Sequence, residues 1–136
     1  MTIRPKYETT PRRPRQARHV PPAVLAALTA RDGHVSAWTG RDVPELVPQH
    51  RQGGAGGRRG KHRLSNLVWL ESSINGLIES DSQWQAEATL RGIKISLHAD
   101  PEAVEIRHEV HGAVLLKDTG EVIHAQGRQI IRPVPD

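Results

Sequence analysis

Nine consecutive residues near the middle of the chain, Gln52 to Gly60 (QGGAGGRRG), hold five glycines and fit neither a helix nor a strand. Glycine loses more backbone freedom on ordering than any other residue and offers no side chain to pack. The stretch must therefore be a loop, and the segments on either side have to meet across it. Before it, Val43 to Val47 reads as a short first strand, held to a sheet edge by Pro44 and Pro48, which cannot donate to a ladder. After it, Leu64 to Leu70 (LSNLVWL) reads as a second strand. Glu71 to Ser80 follows as a helix, with Ile74, Leu77 and Ile78 recurring at helical spacing on one side. A further helix spans Ser82 to Leu90, capped by Asp81 or Ser82 and ended by Gly92.

The flanks are simpler. Pro21 and Pro22 open a helix that continues through Ala23 to Arg31 and stops at Asp32-Gly33. His34 to Trp38 is expected as a short strand. Ile93 to Leu97, Val104 to Ile106 and Ala113 to Leu116 are apolar and strand-like, and Asp118-Thr119-Gly120 forms a turn before Glu121 to His124. Residues 1–20 mix six Lys/Arg with Pro5, Pro11 and Pro14, the composition of a disordered basic arm. Residues 125–136 read as a loose tail. One domain of about 104 residues remains, 21–124, with 43–81 at its centre. Phe and Cys are absent, so the core must come from Leu, Ile, Val, Ala and three Trp, and burial by dimerisation would help so small a core. Zero Cys excludes disulfides and thiolate metal sites and fits a reducing cytoplasm. No apolar run approaches the ~20 residues that cross a bilayer, and the amino terminus leads into no secretory h-region.

The net charge of +4 is moderate, but its distribution is not even. Arg51, Arg58, Arg59, Lys61, His62 and Arg63 crowd the glycine-rich loop. Glycine lets a backbone approach a phosphate closely and arginine binds phosphate oxygens in pairs, so the loop is a candidate nucleic-acid contact. It is not a P-loop, because Gly60-Lys61 is followed by His62, and no strained elbow surrounds Ser72-Ser73 to make a nucleophile. His50 stands directly before the loop. Its ordinary pKa of ~6.5 leaves it largely neutral at pH 7, as a base must be.

A histidine at a strand end, a basic loop, Asn66 entering the second strand and Asn75 on the following helix is an order that resembles the HNH endonucleases. It matches an H-N-N variant of phage or bacterial type that lacks the zinc-binding cysteines. The resemblance implies an α+β fold: a ββα-metal core with an amino-terminal helix and a carboxy-terminal β-hairpin. It further implies His50 as general base, Asn66 as the residue holding that base in orientation, and Asn75 as a metal ligand. Gln49 stands where many members carry an acidic residue or second histidine sharing the metal. An amide oxygen is a hard neutral donor, so Mg²⁺ or Mn²⁺ is expected rather than zinc. With Gln49 so placed, Asp42, Glu45, Glu71 and Glu79 are the carboxylates that could approach instead. The positions of the family's two CxxC pairs correspond to Ser36, Thr39, Glu71 and Ile74, so no structural zinc is expected, with Trp38, Trp69 and Ile74 packing in its place. The function implied is metal-dependent hydrolysis of DNA phosphodiesters in the cytoplasm, with Arg51, Arg58, Arg59, Lys61 and Arg63 gripping the backbone and a homodimer or phage packaging partner possible. A non-catalytic DNA-binding relative of the same fold is the alternative that Gln49 keeps open.

Overall fold

The computed structural model describes residues 19–53 and 60–125. All but the last two residues of the expected basic arm, the stretch of the glycine-rich segment with Arg58 and Arg59, and all but the first residue of the expected tail lie outside them. The described residues form three helices and two small antiparallel sheets.

Helix α1 (Pro22–Asp32) starts where proline's missing N–H costs nothing, and Val24 and Leu25 donate back to the Pro21 carbonyl. It ends at Gly33, whose φ of +80° is a backbone state that side chains resist. Strand β1 (Leu46–His50) pairs antiparallel with β2 (Leu67–Glu71), Pro48 opposite Trp69 and His50 opposite Leu67. β1 thus begins three residues later than expected and runs through Pro48. A two-stranded sheet has only edge strands, so a residue without an N–H is tolerated within one. The second strand is also shorter than expected, because Leu64–Asn66 forms a single 3₁₀ turn before it. Helix α2 (Ser72–Ser80) leaves β2 with no connecting residue. After it, α3 (Ser82–Leu90) is capped by Asp81, whose side chain accepts from the Gln83 and Trp84 N–H groups. The remaining strands, β3 (Ile106–His108), β4 (Gly112–Leu116) and β5 (Val122–His124), form a meander in that order. The expected hairpin has therefore gained a third strand.

Three other expectations fail. His34 to Trp38 is not a strand: the Ser36 hydroxyl accepts from the Trp38 and Thr39 N–H groups and closes a turn. Ile93 to Leu97 is turn and bend, following Arg51 rather than a strand partner. Leu77 is 39% exposed, so only Ile78 and the partly buried Ile74 face the core from α2.

β2 organises the interior. All five of its residues are buried, and successive side chains point to opposite faces. Val68 and Leu70 pack with Ile78, Ala88, Ile93, Ile106, Val114 and Leu116, while Leu67 and Trp69 pack with Leu28, Leu46 and Leu64. A strand covered on both faces has no use for alternating polarity, which is why LVWL is an unbroken apolar run. Among the described residues no helix is long and apolar enough to cross a membrane.

Candidate active site

The β1–β2 pair and α2 flank a narrow cleft with a cavity volume of about 20 Å³, lined by Gln49, His50, Asn75, Glu79 and Lys94 among others. The orientation of α2 has a local cause. The Glu45 carboxylate, just before β1, accepts from the Ser73 N–H and from both Ser72 and Ser73 hydroxyls. A negative charge there neutralises orphan donors at the helix start, and those bonds hold the Glu45 pKa below the ordinary carboxylate value. Ile78, 3% exposed, anchors the helix in the core. Asn75 and Glu79, four residues apart, then share a helix face toward the cleft.

His50 is half-buried, and its Nε2 lies 3.1 Å from Nδ1 of His62. Burial pushes its pKa down to about 4, and the charges of His62 and Lys61 push the same way. The ring is therefore neutral through the whole ordinary pH range. One tautomer has chemical use: with the proton on His50 Nε2 donated to His62, the lone pair of His50 Nδ1 is left to accept a proton from elsewhere. His62 was legible only as part of a basic run. Its pairing with His50 depends on how the loop returns.

That return is fixed by Asn66, which is fully buried. Its side-chain oxygen accepts from the Gln52 N–H and its amide donates to the Lys61 carbonyl, both at 2.9 Å, while its own carbonyl accepts from Arg51 N–H at 2.7 Å. One side chain thereby ties together both ends of the glycine-rich loop beside His50.

Arg51 is not where a phosphate contact would be. It is 0% exposed, and its guanidinium donates to the carbonyls of Gly92, Ser65, Pro101 and Val104, each at 2.9 Å. Burial lowers its pKa to about 10, with Arg31 adding repulsion, so it stays charged at pH 7. Its work is to hold irregular backbone that has no ladder of its own. Gln52 does the same for Ser96, Leu97 and Ala99. Arg63 is paired with Asp118 at 2.9 Å and Asp100 at 3.3 Å, which leaves it a divided phosphate ligand. Lys61 stays partly exposed beside His50, and Arg58 and Arg59 lie outside the described residues.

The four carboxylates left open by Gln49 separate cleanly. Asp42 pairs with His34 at 2.9 Å, Glu45 caps α2, and Glu71 accepts from the Thr39 hydroxyl at 2.7 Å. Of these four only Glu79 lines the cleft. The Thr39–Glu71 bond also joins the two segments that carry Ser36, Thr39, Glu71 and Ile74, and Trp38 and Ile74 pack on the same apolar cluster. Trp69 instead belongs to the opposite cluster.

The chain matches no protein-family model, no curated protein and no solved structure.

A second group of ligand-type side chains lies away from the cleft. Asp32, at the end of α1, meets His108 and His111 from β3 and the turn after it, with one ligand atom from each within 4.8 Å of the others, close enough to hold a metal ion. Protein donors already fill much of this group. Arg31 donates to both Asp32 oxygens, at 2.7 and 2.6 Å, and His111 Nε2 lies 2.8 Å from Oδ1. His108 Nδ1 accepts from the Val110 N–H, and its Nε2 lies 3.2 Å from Asp32 Oδ2 without aligning as a hydrogen bond. Burial alone would raise the Asp32 pKa, but the Arg31 and His108 contacts outweigh it and hold the carboxyl far below its usual range. The group was invisible in the sequence because Asp32 and His111 are 79 residues apart.

Proposed function

We propose that this chain is a metal-dependent DNA endonuclease of the HNH type, with His50 as the general base. The observation that carries the reading is the meeting of Gln49, His50, Asn75 and Glu79 around one cleft formed by two antiparallel strands and the helix that directly follows them. Asn66 meanwhile spans the loop between the strands. The donors available there, two amide oxygens and one carboxylate, are hard oxygen ligands of the kind that suit Mg²⁺ or Mn²⁺. A cation held by Asn75, Glu79 and Gln49 would supply Lewis-acid stabilisation of charge on the phosphate and the leaving oxygen.

The remaining chemistry belongs to the protein. His50 donates its Nε2–H to His62 and takes the proton of a water at Nδ1 as that water attacks phosphorus in line. His62 acts as a positioning residue by fixing the tautomer. A pKa of about 4 makes His50 a weak base in the free protein, chiefly because of burial, with the Lys61 charge adding to it. A phosphodiester arriving beside Lys61 offsets the charge share and raises His50 basicity in part when substrate is present. The resemblance assigns the products 5′-phosphate and 3′-hydroxyl ends. Lys61, with Arg58 and Arg59 of the loop, remains the set of candidate phosphate contacts.

The test is cleavage of plasmid DNA with Mg²⁺, Mn²⁺, Co²⁺ or Ni²⁺. His50→Ala should lower the rate by ~10²-fold or more while duplex binding and melting temperature stay close to wild type. Cleavage surviving in purified His50→Ala removes the mechanism. A wild-type protein that binds DNA and cuts with none of the four metals is the non-catalytic binder that Gln49 also suits.

A further inference from the structure

Among the polar side chains lining the cleft, Gln49, His50, Asn75 and Glu79 have a place in the proposed reaction and Lys94 does not. It stands in the turn after α3, where Gly92 has a φ of +72° and an added Cβ would lie 2.1 Å from the Glu105 carbonyl, so no other residue fits that bend. The turn is fastened on both sides: Lys94 N–H donates to Ala88, Ile95 N–H donates to the Arg51 carbonyl, and Arg51 Nε donates to Gly92. The residue next to His50 in sequence thus sets the backbone from which Lys94 reaches across the cleft. Its ammonium lies 3.9 Å from Glu79 Oε2 and 3.7 Å from where a Cβ on Gly53 would stand, between α2 and the start of the loop that leaves His50. At 3.9 Å the pair is longer than a hydrogen bond, and with Lys94 31% and Glu79 59% exposed it is easily exchanged.

We propose that Lys94 is an exchangeable cation of this cleft: it neutralises Glu79 in the free protein and, once a divalent cation takes that carboxylate, binds a non-bridging oxygen of the scissile phosphate. The inference rests on the metal-dependent reading of the site. It gives one side chain two opposed effects. Before substrate arrives, Lys94 competes with the metal for Glu79. With DNA bound, it adds positive charge where the phosphate becomes more negative.

The experiment uses the full chain and compares wild type, Lys94→Gln, Lys94→Arg and Glu79→Gln. Mn²⁺ affinity is read by calorimetry without DNA, and plasmid cleavage is read at saturating Mn²⁺. Lys94→Gln should bind Mn²⁺ about two- to fivefold more tightly, the scale of one exposed ion pair released. It should cleave about tenfold or more slowly, the scale of one charge-assisted bond to phosphate. Lys94→Arg should keep most of the cleavage, and Glu79→Gln should weaken Mn²⁺ binding. The two changes in Lys94→Gln have opposite signs, which a merely structural role would not produce, and its melting temperature checks the fold. Unchanged or weaker Mn²⁺ binding by Lys94→Gln, or wild-type cleavage by it, overturns the role of Lys94 while a metal-dependent wild type keeps the nuclease reading. No Mn²⁺ uptake by wild type, or Glu79→Gln at wild-type affinity, removes the metal site itself and this proposal with it.

Discussion

Replacing Arg51 with methionine keeps much of the side chain's volume and length while deleting its guanidinium, which makes the cost readable from the structure. Four carbonyls, those of Gly92, Ser65, Pro101 and Val104, lose their donor in an interior where Arg51 is 0% exposed. An unsatisfied buried acceptor costs ~1–3 kcal/mol, so even the low end of that range gives about 4 kcal/mol for the set. Relief from burying a charge returns part of this, and water reaching the outermost carbonyl returns a little more. The net loss should still be about 3 kcal/mol or greater, a large fraction of the ~5–15 kcal/mol that holds a typical domain together. Urea melts followed by tryptophan fluorescence would show the midpoint falling steeply, or the variant unfolded from the start. Lysine at this position should rescue little, since three donors on a flexible stem cannot match four carbonyls spread over three segments. The competing view of Arg51, a surface phosphate contact, makes the contrary forecast: stability within ~0.5 kcal/mol of wild type and a salt dependence of DNA binding flatter by ~0.9. That pair of results in Arg51→Met would refute the burial argument.

Two further outcomes follow from the charged groups. His50, with its pKa lowered to about 4, should give a cleavage profile with no acid limb near pH 6.5 in kcat/KM for the free protein, and Lys61→Ala, which removes a neighbouring charge, should move the acid limb upward; a limb near 6.5 in wild type would contradict the buried His50–His62 pair. Asp32, whose carboxyl is depressed in the folded state, contributes stability that is fully present above its unfolded pKa of ~3.9 and is lost as pH falls below it, so Asp32→Asn should cost ~3 kcal/mol or more at pH 7 and progressively less below pH 4, with melting temperatures of both proteins across pH 3 to 7 as the check.

Much of the local structure was written in short stretches of sequence. Proline at the start of α1, glycine at its end and aspartate before α3 act within one turn of themselves, so those boundaries needed no partner. The failures were of another kind. Ile93 to Leu97 looked like a strand because apolar content does not reveal whether a neighbouring edge exists, and β1 was placed too early because Pro48 forbids a central strand but not a strand with an empty side. In the cleft, His50, Gln49 and Asn75 were named through the resemblance of their order to the HNH motif, and strand, loop, strand and helix bring them along one cleft. Glu79 was one of four open carboxylates, and the other three were removed only by the partners they found.

The sequence by itself determined the order and, to within a residue, the limits of the helices, the apolar run of the second strand and the chemical types gathered near His50. Only the tertiary structure decided what each charge does. An arginine carries the same charge in a buried turn as on a phosphate groove, and whether it goes inside depends on acceptors supplied by backbone far away in the chain: for Arg51, carbonyls as distant as Val104, 53 residues on. The same holds for Asp32 with His108 and His111, and for Lys94 with Glu79. Electrostatic and hydrogen-bond energies fall off over a few ångströms, so they act between neighbours in space, and the residues that become neighbours are fixed by packing around β2 rather than by spacing along the chain.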